Sequence, residues 1–273
     1  MLEKIKETTS YLQDKTSFQP EAGIILGTGL GGLVSEIDIV YQLDYENIPN
    51  FPLSTVEGHK GRLIFGNLSG KRIVAMQGRF HYYEGYTMEE VTFPVRVMKY
   101  LGIRYLLVSN ASGGVNPEYE IGDLMVLNDH INLLPNPLIG KNHEEFGPRF
   151  PDMSEPYDHE MITHALSIAR KHNIRAHQGC YAGVTGPTLE TPKEYGYVRI
   201  IGGDTVGMST IPEVIVARQM DIRCFAVSII TDLGVPGRIV KVTLEDVKMA
   251  AEQAEPSMTL VMKELLYLLQ TGH

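Results

Sequence analysis

Seven polar residues stand just beyond apolar, strand-like segments: Thr28, Arg79, His81, Asn110, Glu190, Ser209 and Asp232. In a parallel α/β sheet, ligands bind outside the carboxyl ends of strands. Hydroxyls, Arg and His beside glycine-rich turns suit a phosphate, Arg by bidentate hydrogen bonds and His as a donor. Glu190 and Asp232 have no basic neighbour in sequence, which suits a neutral, N–H-rich ligand such as a purine. Other chemistries lack their signatures. No HxxxH or CxxC spacing offers a metal cluster, and no GxSxG elbow presents a serine nucleophile.

Strands and helices must bring these residues together. The densest stretch, Tyr181 to Gln219, reads as strand, turn, helix, strand, helix. Gly186-Pro187-Thr188 makes the turn, Thr191 caps a helix with Pro192 first and Glu194 three after the cap, and Gly202-Gly203 stops it. Met208-Ser209-Thr210 then leads into a helix with Pro212 and Glu213 in its first turn.

Upstream, residues 1–15 form a helix with Ile5, Thr9 and Leu12 as its stripe. A strand at 21–26 breaks at Gly27-Thr28-Gly29-Leu30-Gly31-Gly32, a candidate backbone nest for an anion. The stretch is not a P-loop, having no Lys. A Rossmann reading needs an acidic residue about 20 positions on, and Asp38 and Asp44 come sooner. A plain tight turn stays open. Leu63–Leu68 and Lys71–Gln77 form a hairpin that ends at GRFHYYEGY, where Arg79, His81 and four aromatics crowd nine residues.

A helix over 88–101 precedes a buried strand at 105–109, and Asn110 to Gly114 reads as a second turn of small residues. Strands at 123–127 and 129–133 lead to a long loop, Pro135 to Pro156, of a length usually tied to function or to a subunit contact. A strand at 224–230 ends at Thr231-Asp232, and Thr243 to Leu269 gives one or two helices with Pro256 as the break.

Composition bounds the rest. The chain has 273 residues, 43% apolar and 21% charged, enough for one large α/β domain over 1–273. A net charge of −9 argues against nucleic acid or an anionic membrane as partner. Cys180 and Cys224 fall in expected strands and read as core thiols of a reducing compartment. The charged, amphipathic start has no apolar signal core, and no run reaches the roughly 20 apolar residues of a membrane span. A soluble, cytoplasmic protein is expected.

GIILGTGLGGL, EGHKGRLIFG, GRFHYYEGY, TFPVRV, NASGGVNPEYEIGDLMVLNDHINL, RFPDMS and VGMSTIPEVIVAR together resemble the trimeric purine nucleoside phosphorylases, across nearly the whole chain. The resemblance implies a single α/β domain with a central mixed sheet, a smaller barrel-like sheet and flanking helices, assembled as a homotrimer. It implies reversible phosphorolysis of purine (2′-deoxy)ribonucleosides to free base and pentose 1-phosphate. Phosphate is then a co-substrate, with no metal or organic cofactor. Thr28, Arg79, His81, Ser209 and the backbone at Ala111 resemble the phosphate ligands, and His59 a phosphate-side or gating group. Tyr83 and Met208 resemble the sugar contacts, Glu190 the base-binding glutamate, and Tyr181 a wall of the base pocket. Phe150 resembles the aromatic that enters the neighbouring subunit's site, and His81, Glu190 and Asp232 are the expected catalytic groups.

Departures from the family pattern bear on which purine is bound. Thr28 replaces a usual serine and Leu189 a usual Phe; Asp232 stands where 6-oxopurine-specific relatives have Asn, and Leu244 falls near their 5′-hydroxyl-binding His. Ionised Asp only accepts, which suits a 6-amino group; Glu190 accepts from N1–H, which only 6-oxopurines carry. Glu190 tips the expectation to inosine and guanosine. The alternatives are a phosphorylase of 6-aminopurine nucleosides such as 5′-methylthioadenosine and a non-catalytic nucleotide-binding protein. The retention of Arg79, His81 and Glu190 argues against the last.

Overall fold

The computed structural model describes residues 1–28, 31–53 and 61–269. Apolar runs become nine strands among them: β1 (Ala22–Leu26), β2 (Asp38–Asp44), β3 (Arg62–Leu68), β4 (Lys71–Gln77), β5 (Tyr105–Gly114), β6 (Leu124–Asn132), β7 (Ala176–Gly183), β8 (Thr205–Gly207) and β9 (Arg223–Leu233). The α-helices are α1 (Leu2–Thr16), α2 (Met88–Leu101), α3 (His159–Lys171), α4 (Pro192–Ile200), α5 (Ile211–Gln219) and α6 (Leu244–Leu268). Thr87, Thr191 and Thr243 each close a capping box at the start of α2, α4 and α6, so those boundaries are written locally.

All nine strands join one mixed sheet, in the order β2-β3-β4-β1-β5-β8-β7-β6-β9. β9 also pairs with β5, which closes β5, β8, β7, β6 and β9 into a ring. The expected barrel is therefore present and is continuous with the central sheet, the two sharing β5. β5 can serve both because it is ten residues long and pairs on both edges: β1 near its start, β9 along its whole length and β8 at its end.

That length corrects one expectation. Asn110 to Gly114 is no turn; it continues β5, paired with β9 through a register shift between Ser112 and Gly113. Small side chains let the strands approach and bend there. The segments at 123–127 and 129–133 likewise merge into β6, with a register irregularity between Leu127 and Asp129.

The C-terminal region is one helix that runs through Pro256. A proline inside a helix costs roughly 3 kcal/mol. Ala251, Ala254, Met258, Val261, Met262, Leu265 and Leu266 of α6 are all buried on the β9 and α3 side, and that burial outweighs the lost bond. Cys180 and Cys224 are free thiols, the first half-buried and the second buried, and burial pushes both up to about 12. Among the described residues no helix is long and apolar enough to cross a membrane.

Candidate active site

β1, β4 and β5 run parallel, so the chain leaves β1 and β4 on the same side. A cleft opens there, lined by Thr28, Arg79, His81, Tyr83, Ala111, Glu190, Met208, Ser209 and Asp232, with Leu189, Val206, Leu244 and Val247 as apolar wall. Most of these groups sit at, or a few residues beyond, the end of one strand of the shared sheet. Gly27 lets the β1 turn lie against β5: a Cβ there would stand 2.9 Å from the Ser109 carbonyl oxygen.

One end of the cleft is cationic and tightly pinned. Arg79 is 1% exposed; its Nη1 donates to the Ser109 carbonyl at 2.9 Å and to Ser209 Oγ at 3.0 Å. Its Nε lies 3.0 Å from Glu213 Oε1 in an ion pair that is itself buried. Glu213 sits in the first turn of α5, where the helix dipole also favours a carboxylate. The sequence marked it only as a first-turn acid; its pairing with Arg79 spans 134 positions and has no local signal.

Ser209 is fixed from three sides. Its N–H donates to Tyr181 Oη at 3.2 Å, its Oγ meets Arg79, and Thr210 Oγ1 lies 3.2 Å from the same Oγ. Thr210 has φ 68°, a conformation a β-branched residue adopts only under constraint. The constraint is a buried chain of hydrogen bonds: Asn110 Nδ2 donates to Thr210 Oγ1 at 2.9 Å and Ser228 Oγ donates to Asn110 Oδ1 at 2.7 Å.

His81 Nδ1 lies 3.0 Å from Glu84 Oε1, which also accepts the His81 N–H at 2.8 Å. Burial lowers the imidazole below its ordinary 6.5, against the opposing hydrogen bond from Glu84. A neutral ring with Nδ1–H on the carboxylate leaves Nε2 as an acceptor. In that form the ring suits the hydroxyl of a phosphate monoanion or dianion. Tyr83 stacks on His81 with ring centroids 4.7 Å apart, and burial pushes its hydroxyl up to about 12.

The other end carries carboxyls. Asp232 is 6% exposed, with Thr231 Oγ1 at 3.0 Å from Oδ1 and Tyr195 Oη at 3.2 Å from Oδ2. Burial raises its pKa above 3.8, while the two hydroxyls pull the other way. Glu190 is likewise raised, first by burial and further by the charge of Asp232. Tyr195 was not among the expected site residues. It lies in an ordinary helix turn, and only the fold brings it to Asp232.

One expected residue among those described does not line this cleft. Tyr181 is fully buried behind the Gly207–Ser209 turn, so its hydroxyl supports Ser209 and its ring is not a wall of the base pocket. The reason is close packing: a Cβ at Gly207 would stand 2.3 Å from Tyr181 Oη. Phe150 is 88% exposed, beside a second cavity with His130, Asn132 and Met153, away from its own chain's cleft. His59 lies outside the described residues. Among the described residues, no group of three or more His, Cys, Asp or Glu side chains could hold a metal ion.

Comparison with known proteins places this geometry. The family described as Phosphorylase superfamily matches residues 21–267. Purine nucleoside phosphorylase 1 of Bacillus subtilis (strain 168) is 52% identical over 233 residues, 85% of this chain and 86% of that protein. Purine nucleoside phosphorylase of Schistosoma mansoni superposes with a TM-score of 0.94 in its complex with adenosine, at 42% identity, covering 99% of this chain and 98% of that one. Its complex with inosine gives a TM-score of 0.94 at 41% identity, over 99% and 98% of the two chains.

Proposed function

Because the chain belongs to the phosphorylase superfamily, and within it to the purine nucleoside phosphorylases, we propose that its cleft cleaves purine (2′-deoxy)ribonucleosides with phosphate. The reaction is reversible and yields free base and (deoxy)ribose 1-phosphate, as purine salvage requires. Inosine and guanosine are the leading substrates. The observation that carries this reading is the polarity of one cleft: Arg79, Ser209 and His81 at one end, Glu190 and Asp232 at the other, with Tyr83 and Met208 in the lining.

In this reading phosphate lies on Arg79, Ser209 Oγ, Thr28 and the backbone at Ala111, with a phosphate hydroxyl given to His81. Arg79 is held in place before phosphate arrives, so little ordering is left for binding to supply. A phosphate oxygen attacks C1′ while the C1′–N9 bond breaks, and the bonding pair leaves with the purine. Negative charge then grows on the base. Glu190 as carboxylate holds N1–H of a 6-oxopurine, and Asp232 in its neutral form donates toward N7; burial favours that form. The sugar meets Tyr83 and Met208, and Leu244 with Val247 gives the cleft an apolar stretch at the start of α6. Phosphate and nucleoside balance the reaction by themselves, with no metal or organic cofactor.

The whole of 1–273 acts as one phosphorylase domain in this proposal, and the active form is a homotrimer in which Phe150 enters the neighbour's cleft. Exposure of Phe150 on a long loop supports that role. Unpaired thiols at Cys180 and Cys224 suit the reducing cytoplasm. The test is release of free base from inosine, guanosine, adenosine and 5′-methylthioadenosine with and without phosphate. Phosphate-dependent release of hypoxanthine and guanine is expected; no cleavage of any of the four would refute the proposal.

A further inference from the structure

Two carboxyls facing one ligand edge raise the question of where a proton sits. Glu190 and Asp232 both line the cleft, and Tyr195 joins them. Its hydroxyl donates to Asp232 Oδ2 at 3.2 Å. The ring is 5% exposed and packs with Val115, Ala182, Val198 and Val206. It also lies flat against Gly234, where a Cβ would stand 2.2 Å from Tyr195 Cδ1. A glycine backbone and an apolar cluster thus hold a phenol at this one place. Neither phosphate binding nor attack at C1′ makes use of it.

We propose that Tyr195 is a specificity-determining residue that lets the cleft accept 6-aminopurine nucleosides beside 6-oxopurine ones, by supporting Asp232 as an acceptor. The inference rests on the purine nucleoside reading of the cleft. A 6-oxopurine presents N1–H and needs a donor near N7: Glu190 ionised, Asp232 protonated. A 6-aminopurine presents a bare N1 and an amino N–H: Glu190 protonated, Asp232 ionised. Both states hold one proton on the pair. Transfer of that one proton from Asp232 to Glu190 interconverts them, with no change in atoms or total charge, and the phenol on Asp232 Oδ2 supports the ionised Asp232 that results. An ionised Asp232 also raises Glu190, which favours the proton there. Glu194 is the other charged group acting on Glu190, and Thr231 supplies the second hydroxyl to Asp232. Only the 6-amino state needs the Tyr195 hydroxyl as donor to a charged Asp232, so its loss falls on that state.

The experiment measures kcat/KM on inosine and adenosine at saturating phosphate for the wild type, Tyr195→Phe, Asp232→Asn and the double variant. Phe keeps the ring and removes only the hydroxyl. The wild type should cleave both nucleosides, and Tyr195→Phe should lower the adenosine-to-inosine ratio by about tenfold or more, the effect of one hydrogen bond to a charged group. In the Asp232→Asn background the same change should move that ratio by less than about twofold, since a carboxamide cannot take the proton. A wild type that cleaves inosine but not adenosine overturns the inference. So does a Tyr195→Phe loss that is equal on both substrates, or one that is undiminished in the Asp232→Asn background. A wild type that cleaves neither nucleoside with phosphate refutes the parent reading instead.

Discussion

The two ends of the cleft are built on opposite principles. At the proposed phosphate end each of these groups has a fixed partner: Arg79 on Ser109, Ser209 and Glu213, His81 on Glu84, and Ser209 on Tyr181. At the proposed base end two carboxyls line the cleft with raised pKa values, and the hydroxyls of Thr231 and Tyr195 hold Asp232. The first end is a rigid receptor for one charge pattern. In the reading proposed above, the second has more than one proton arrangement and so answers different base edges. Anion recognition tolerates preorganisation because phosphate is always the same ion, whereas base recognition benefits from a site whose donors and acceptors can change places.

The largest expected effect lies at the rigid end. Arg79→Ala removes charge-assisted contacts to phosphate and leaves buried Glu213 without its partner. The phosphate KM should rise about 100-fold, and the fold should lose roughly 3–5 kcal/mol from the stranded carboxylate. Kinetics over a phosphate series, with denaturant melts, check both. A wild-type phosphate KM would place the anion elsewhere.

Asp232→Asn probes the adaptable end. It supplies a permanent N–H toward N7 and replaces a charged acceptor for a 6-amino group by a neutral one, so preference for inosine over adenosine should grow roughly 5- to 150-fold. Competition between the two nucleosides reads the ratio directly. Loss of inosine cleavage would instead make the carboxyl a proton carrier.

A smaller effect is expected at the mouth. Phe150→Ala should raise the nucleoside KM about tenfold while leaving the phosphate KM alone, the contribution of one aromatic that the proposed trimer would bury. Sedimentation of the active species is the companion measurement. An active monomer would take Phe150 out of the site.

The smallest effect is on stability and separates the ends by pH. Asp232 has a folded pKa above its ordinary 3.8, so the folded chain keeps a proton there that the unfolded chain gives up. Its contribution is present below that value and is lost as pH rises through the folded pKa. The melting temperature of Asp232→Asn should therefore exceed the wild type near pH 7, and the margin should shrink as pH falls toward 4. A margin that is constant with pH would show that burial does not hold the carboxyl neutral. His81 has the opposite sign: its depressed pKa makes its contribution present above 6.5 and lost on acidification.

Much of this was legible in the chain itself. Apolar runs determined most strands, Thr87, Thr191 and Thr243 with an acid three positions on determined helix starts, and motifs at strand ends named Thr28, Arg79, His81, Ser209, Glu190 and Asp232. These are local signals, carried by residues within a few positions of each other. Tertiary structure alone decided the rest. Ring closure depends on β9 returning to β5 more than 100 positions later, which turned an expected turn at Asn110 into strand. Burial on α3 and β9 carried α6 through Pro256. The Glu213 partnership with Arg79 and the Tyr195 hydroxyl on Asp232 have no motif, because a partner's identity is set by where two distant backbones meet. Tyr181 shows the same limit from the other side: its strand was evident, but which face its ring would take was decided by Gly207 packing against it.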